Sequence, residues 1–241
     1  QSDPDNREAL LAVGELALAK RDFKLAGRTF TRAIGYYPED ADLLHGLAKA
    51  YAESDPSQME EPLHTAMFAN PDHVPSLLLQ AHNQADAEQY DAANGILKAI
   101  FKVNPHHAAS WALQAALHTV RNEPAKAKAA RANGLKHWKT NPLVDHEIGK
   151  KLSSKYLFAE GAAHQRQALK FDNDYVPAKT QLAQDLLRLG EDEEGWRLAA
   201  EAHEADGYDV TTFNLLTLHD SLKKYVTIER NGFLLRMTRD E

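Results

Sequence analysis

The sequence contains no cysteine among its 241 residues, which excludes disulfide bonds, thiol catalysis and thiolate metal sites. Its longest apolar runs fall far short of the roughly 18 to 20 residues that span a bilayer. It also lacks any run of five like charges, and its net charge is −7. Nucleic acids and anionic membranes both attract basic surfaces, so the charge argues against either as the main partner.

Prolines recur at a regular spacing, each after an apolar stretch with helical periodicity. Pro38, Pro71, Pro105 and Pro142 are separated by 33, 34 and 37 residues. A period of about 34 residues is typical of helix–turn–helix repeats. The sequence therefore predicts a stack of helix pairs.

The first period shows how such a pair would pack. Leu10, Gly14 and Ala17 lie on one face of a predicted helix, and Phe23 is expected in the turn that follows. The matching face of the second predicted helix contains Ala26, Phe30 and Ala33. Its small residues allow two antiparallel helices to approach closely. Pro38 is expected to end that helix, because proline disfavours helical geometry in the preceding residue.

The pattern Leu10–Gly14–Phe23–Ala26–Phe30–Ala33–Pro38 resembles the signature of the tetratricopeptide repeat family. Weaker copies start at Leu44, Leu77, Trp111, Ile148 and Leu182, with Pro124 in the fourth turn and irregular fourth and fifth units. The resemblance implies an all-α fold, a right-handed α-solenoid of about six helix pairs over residues 1–224. Phe213 and Leu216 are expected on one further helix that caps the stack.

Residues 225–241 have a different pattern and predict a short β-hairpin. Two β-prone runs, 225–228 and 233–237, flank Asn231-Gly232, a strong signal for a type I′ turn. A lone hairpin is marginally stable, so it either packs on the last helix or begins a following domain, and we favour the second. The segment Phe213–Arg236 resembles the junction in bacterial repeat proteins where a solenoid precedes a gluzincin-type zinc metallopeptidase domain. The zinc motif His-Glu-x-x-His is absent, so no catalytic residue is implied here.

Twelve histidines prompt a search for metal sites. His146-Glu147 and His203-Glu204 have no second histidine at positions 150 and 207, so neither completes a zinc-binding helix. His106 and His107 would point about 100° apart on a helix and are not expected to share a metal. The acidic run 191–194 is expected to favour a helix N-terminus through its dipole. We predict no catalytic residue, no metal site and no cofactor.

A binding partner is expected in the concave groove, which the first helix of each unit lines in such solenoids. Residues one and five places after each unit's leading position should face it: Leu11, Glu15, His45, Lys49, Leu78, His82, Ala112, Ala116, Thr180 and Gln184. The carboxylate clamp of some family members needs Lys and Asn at these places, and only Lys49 fits. An extended or helical peptide suits the groove, and the alternative occupant is the protein's own next domain. Trp138 is predicted as a possible exposed anchor, and Trp196 as a core residue.

Two functions therefore remain open. The first is a non-catalytic scaffold that binds a protein or peptide, with no nucleic acid and no membrane as partner. The second is an N-terminal regulatory or substrate-recruiting arm of a larger bacterial zinc metallopeptidase. A self-sufficient enzyme would need a convergent polar pocket that the spacing does not supply. Gln1 is not an initiator methionine, so we expect the native start to be missing, and the compartment, cytoplasmic or extracytoplasmic, stays open.

Overall fold

Thirteen α-helices and one antiparallel hairpin make up residues 5–238, the part of the chain that the computed structural model describes. The helices are α1 (Arg7–Ala19), α2 (Phe23–Tyr36), α3 (Ala41–Ser54), α4 (Glu60–Ala69), α5 (Val74–Asp86), α6 (Tyr90–Val103), α7 (Ala108–Val120), α8 (Pro124–Gly134), α9 (Pro142–Ser154), α10 (Phe158–Phe171), α11 (Val176–Leu189), α12 (Asp192–Ala205) and α13 (Val210–Leu222). A short 3₁₀ turn, Pro56–Gln58, precedes α4. The strands are β1 (Tyr225–Arg230) and β2 (Phe233–Thr238). The predicted six helix pairs and additional helix are confirmed.

The chain divides into two compact units between Lys139 and Thr140. The first contains α1–α8, which form four helix pairs, and the second contains two pairs, α13 and the hairpin. The division lies in the connection 135–141 between α8 and α9, where the spacing of the prolines lengthens. The predicted domain boundary at residue 224 stays a prediction.

Side chains before several helices explain where those helices begin. Asp22 accepts a hydrogen bond from the Leu25 backbone N–H at 2.9 Å, and Asp209 accepts one from Thr212 N–H at 2.7 Å. Such caps satisfy backbone donors that have no partner inside the helix. The same arrangement occurs at Asn6, Asp40 and Asn141.

Five of the six helix pairs turn through a single residue in the left-handed region of φ. These residues are Arg21 (φ 57°), Glu88 (61°), Asn122 (55°), Tyr156 (63°) and Gly190 (80°). In each turn the next residue's N–H donates to a carbonyl five residues back, as from Asp22 to Ala17 at 2.9 Å. This is the Schellman geometry that closes helix C-termini. The second pair has no such residue among those described and turns through Asp55 and Pro56.

The core of the first unit depends on close helix approach around Phe30. Its ring is fully buried, and a Cβ added at either Gly14 or Gly46 would overlap it. Phe30 on α2 therefore contacts glycines of α1 and α3, which belong to successive repeats. Leu10, Ala26 and Ala33 are buried around it, as the sequence pattern predicts.

Two predictions about local positions are wrong. Phe23 is the first residue of α2 and Pro124 is the first residue of α8, although both were expected in turns. Pro142 begins α9, whereas Pro38, Pro71 and Pro105 each follow a helix end. Proline suits the first helical position because that N–H would have no partner in any case.

The second unit ends in α13 and the predicted hairpin. Leu215 and Leu216 of α13 pack against the core around Leu182 and Leu186. In the hairpin Tyr225 pairs with Thr238 and Arg230 with Phe233, and Asn231 and Gly232 both have positive φ. Every residue of β1 is exposed.

We expect Gly46→Ala to destabilise the chain by about 1 to 3 kcal/mol, because the added methyl group overlaps Phe30 and the ring cannot retreat toward Gly14. Gly95→Ala on α6 is the matched control, since no atom lies within 4 Å of its added Cβ. That change should stabilise by about 0.5 to 1 kcal/mol through helix propensity. Urea unfolding followed by circular dichroism measures both. Equal effects of the two changes would contradict the packing argument.

Candidate functional site

The first unit brings two of the predicted groove residues to one pocket. Glu15 on α1 and Lys49 on α3 are both exposed and line a depression of about 320 Å³. Arg21 and Glu53 also line it, and Arg21 Nη2 lies 3.6 Å from Glu53 Oε2. The remaining lining residues are apolar: Leu18, Ala19 and Phe23. The pocket therefore offers charges of both signs around an apolar floor.

His45 lies one turn before Lys49 on α3 and has an unusual environment. Its Nδ1 is buried and has no hydrogen-bond partner among the described residues. Its ring lies 5.7 Å from that of His73 in an edge-on arrangement. Burial, with smaller contributions from the charges of Lys49 and His73, lowers the pKa of His45 to about 4. His45 is therefore a neutral ring with an unused polar atom.

A row of charged contacts connects the first turns of α1, α3 and α5. Arg7 Nε lies 2.5 Å from Asp40 Oδ2, and its Nη2 lies 2.6 Å from Asp42 Oδ2. Asp42 in turn lies 3.1 Å from His73 Nε2, and His73 Nδ1 lies 2.8 Å from Ser76 Oγ. Burial raises the pKa of Asp42, but Arg7 and His73 outweigh it and lower the net value. These contacts fix three successive first helices against one another.

The other predicted groove residues differ in exposure. Leu78 and His82 on α5 are half-buried. In the fourth repeat the equivalent Ala112 and Ala116 are fully buried, so the expectation that they face an open groove is wrong. An alanine side chain ends at Cβ and does not reach past its larger neighbours.

Gln184 belongs to the second unit, on α11. It lines an apolar pocket of about 360 Å³ with Leu187, Arg188, Asp192, Trp196, Leu215, Leu218 and Leu222. Trp196 is half-buried and stacks on His219 with centroids 4.6 Å apart, so it is not the core residue that the sequence indicated. Tryptophan is rarely buried completely because of its size.

Trp138 is 58% exposed, in agreement with the predicted exposure, and its role as a partner anchor stays a prediction. Beside it, His137 Nε2 lies 2.9 Å from His106 Nδ1. From the sequence, His106 was expected only not to share a metal ion with its neighbour His107. His106 and His137 are separated by close to one repeat in the sequence, and this spacing could have indicated that they meet.

A buried polar network in α9, α10 and α11 was not anticipated from the sequence. His146 Nδ1 lies 2.9 Å from Gln165 Oε1, and Ser153 donates a hydrogen bond to Asp185 Oδ2 at 2.8 Å. Asp145 lies 2.7 Å from His164 Nδ1. Burial raises the pKa of Asp185, while hydrogen bonds from Ser153 and Gln181 and the charge of Arg188 oppose the rise.

Close helix approach makes this network possible. A Cβ at Gly161 would overlap Ser153 Oγ, and one at Gly149 would lie 2.5 Å from Gln165 Nε2. The carboxylates are engaged by protein side chains, so the network acts as packing between α9, α10 and α11.

Residues 5–238 contain no group of three or more histidine and carboxylate side chains arranged to hold a metal ion. Over the same range, no helix combines the length and apolar character needed to cross a membrane.

The architecture is that of tetratricopeptide repeat proteins. A tetratricopeptide repeat protein from Parabacteroides merdae superposes with a TM-score of 0.63 at 15% identity, covering 90% of this chain and 85% of that one. A thermophilic tetratricopeptide repeat protein from Thermus thermophilus superposes with a TM-score of 0.58 at 20% sequence identity, covering 76% of this chain and 100% of that one. Human IFIT1, solved as a dimer with PPP-AAAA, superposes with a TM-score of 0.59 at 16% sequence identity, covering 89% of this chain and 53% of that one. These identities show a shared fold alone. No protein-family model matches the sequence, and no curated protein matches it.

We expect His45 to stay neutral at pH 5.5, because its pKa is lowered to about 4. Its neutral form is favoured in the folded state, so stability is lost as the pH falls below the ordinary histidine value of about 6.5. Histidine-selective NMR across a pH titration follows the ring directly. Protonation of His45 near pH 6.5 would contradict its burial.

We expect Asp185→Asn to raise the melting temperature more at pH 8 than at pH 5. A raised carboxyl pKa means that the folded state favours the protonated form, so the native chain loses stability as the pH rises past the ordinary value of about 4. The variant escapes this loss and should gain at least about 2 °C at pH 8. The control is Asp174→Asn, whose side chain is 92% exposed. A gain that is the same at both pH values would contradict the assignment.

Proposed function

We propose that this chain is a non-catalytic scaffold that binds an extended or helical peptide of a protein partner. The proposed contact surface in the first unit, here called the first-helix face, consists of Glu15, His45, Lys49, Leu78 and His82 on α1, α3 and α5. The observation that carries the proposal is the pocket shared by Glu15 and Lys49, one helical turn from His45, whose buried Nδ1 has no partner among the described residues. The repeat fold supports it, because stacked helix pairs create extended binding surfaces.

The chemistry of the first-helix face favours a peptide with alternating polar and apolar groups. A buried nitrogen without a partner is unfavourable, so a rotation of the His45 ring that brings Nδ1 to a bound peptide would gain a hydrogen bond. Lys49 and Glu15 can pair with opposite charges on the same ligand. The apolar floor of Leu18 and Phe23 can accept one of its side chains.

Gln184 and Trp138 are proposed as further contacts of a protein partner. The pocket of Gln184 is mostly apolar and ends at α13. Trp138 presents a large exposed ring, and tryptophan is enriched among residues that dominate binding energy.

A second candidate function is the recruiting arm of a larger bacterial zinc metallopeptidase. The observation that favours it is the hairpin, because β1 is exposed along its whole length and a lone hairpin needs something to pack against. Sequencing the gene beyond the codon for Glu241 decides it. A His-Glu-x-x-His motif downstream supports the arm, and a stop codon directly after Glu241 eliminates it.

We expect Lys49→Glu combined with His82→Glu to weaken binding of peptides selected on the chain from a random display library. The loss should reach about tenfold, which corresponds to about 1.4 kcal/mol. Lys98→Glu with Lys102→Glu on α6 is the control, since both side chains are exposed and outside the first-helix face. Anisotropy titrations measure the affinities. Unchanged affinity in the first variant would overturn the assignment of the face.

A further inference from the structure

The second repeat departs from the others at the connection between its two helices. Its second helix, α4, has 10 residues, whereas α2 and α6 have 14 each. Ahead of α4 stands the turn Pro56–Gln58, held by Asp55, which accepts hydrogen bonds from Ser57 Oγ at 2.6 Å and Gln58 Nε2 at 2.5 Å. This connection forms one wall of a cavity.

The cavity has a volume of about 640 Å³, within the range of about 300 to 1,000 Å³ that is usual for ligand sites. The opposite wall is one face of α2. The lining residues are Phe23, Lys24, Gly27, Arg28, Thr31 and Arg32 on α2, and Tyr51, Ser54, Asp55 and Gln58 across from it.

Three cations lie on this face of α2 at intervals of four residues. Arg32 lies 2.5 Å from Asp5, but among residues 5–238 neither Lys24 nor Arg28 has an ion-pair partner. Like charges four residues apart destabilise a helix. Their presence on one cavity wall, in a chain of net charge −7, favours an anionic ligand.

Gly27 lies between Lys24 and Arg28 in the sequence, and packing does not require a glycine at this position. A Cβ at this position would meet no atom within 4 Å, in contrast to Gly14 and Gly46, which Phe30 requires. Alanine would make a more stable helix here. A glycine with free space around it is not by itself a sign of a binding site. Here, however, the absence of a side chain at Gly27 leaves the cavity open between Lys24 and Arg28. Local departures from stability of this kind are expected at functional sites.

We propose that this cavity binds an acidic peptide segment. Its carboxylates pair with Lys24 and Arg28, and an adjoining apolar side chain lies over Gly27 beside Phe23 and Tyr51. Arginine suits this role because its guanidinium can engage a carboxylate through two parallel hydrogen bonds. The open form of the cavity and its two aromatic walls suit a peptide better than a small anion. Only Phe23 is shared with the pocket of Glu15 and Lys49, so this site does not depend on the proposed function.

The test measures anisotropy of a fluorescein-labelled octapeptide, Glu-Glu-Phe-Glu-Asp-Leu-Glu-Glu, titrated with the full chain. Lys24→Gln with Arg28→Gln should weaken binding at least about tenfold, since each change removes a charge-assisted hydrogen bond. Lys98→Gln with Lys102→Gln removes the same charge from α6 and should change affinity less than about twofold. Gly27→Leu fills the cavity without a backbone clash, so it should abolish binding while the melting temperature is not lowered.

Each contrary outcome overturns the proposal. No binding by the unaltered chain below about 1 mM excludes an acidic peptide of this kind. If the α2 variant and the α6 control variant lose affinity equally, the peptide responds only to the net charge of the chain. If a peptide with glutamine and asparagine in place of its acidic residues binds equally well, recognition of carboxylates is excluded. Full displacement by inorganic phosphate assigns the cavity to a small anion. Light scattering tests for a dimer. If the chain is a dimer and Lys24→Gln with Arg28→Gln dissociates it, the cavity binds a second copy of the chain. Failure of the first-helix face variant changes none of these results.

Discussion

Phe30 sets the distance between successive repeats in the first unit. Its ring fills the space between Gly14 on α1 and Gly46 on α3, and neither position tolerates a Cβ without displacing it. A single side chain of one second helix therefore contacts the first helices of two successive repeats, within a cluster that also contains Leu10, Leu43 and Leu47. The contacts of Arg7 with Asp40 and Asp42, and of Asp42 with His73, continue the same alignment at the helix starts.

The second unit reaches the same close approach with polar side chains. Gly149 and Gly161 bring α9 and α10 together, and Ser153, Gln165 and Asp185 occupy the space that apolar side chains fill around Phe30. A fully satisfied buried network of this kind specifies one arrangement of the helices, because any other would leave polar atoms unpaired. The network has a cost, because burial raises the pKa of Asp185 and so disfavours its charged form.

Both proposed binding surfaces lie where the regular repeat leaves something unsatisfied. Among residues 5–238, His45 has a buried nitrogen without a hydrogen-bond partner, and Lys24 and Arg28 of α2 have no ion-pair partner beside Gly27. The left-handed turn that closes five helix pairs is replaced in the second pair by Asp55 and Pro56, next to the cavity on α2. A peptide could engage either surface without disturbing the Phe30 core.

The repeat period, the pairing of helices and the hairpin turn could be read from the sequence, because each follows from local chemistry. Helical spacing placed Leu10, Phe30 and Leu182 in the core, and Asn231-Gly232 predicted positive φ at two successive positions. The position of Pro124 was misread, since proline is compatible with a turn and with the first position of a helix. Glu88 and Tyr156 gave no sign of left-handed geometry, because neither is a glycine or asparagine, although the closure of each helix C-terminus places them there.

Only the tertiary structure decided which polar residues meet. His106 pairs with His137, and Ser153 with Asp185, across about one repeat of chain, and no local pattern records such distances. The exposure of Ala112 was likewise misjudged, because position on a helix predicts burial only when the neighbouring helices that cover it are known. The sequence by itself determined that this protein is a stack of helix pairs. Packing between those pairs determined which side chains remain available to a partner.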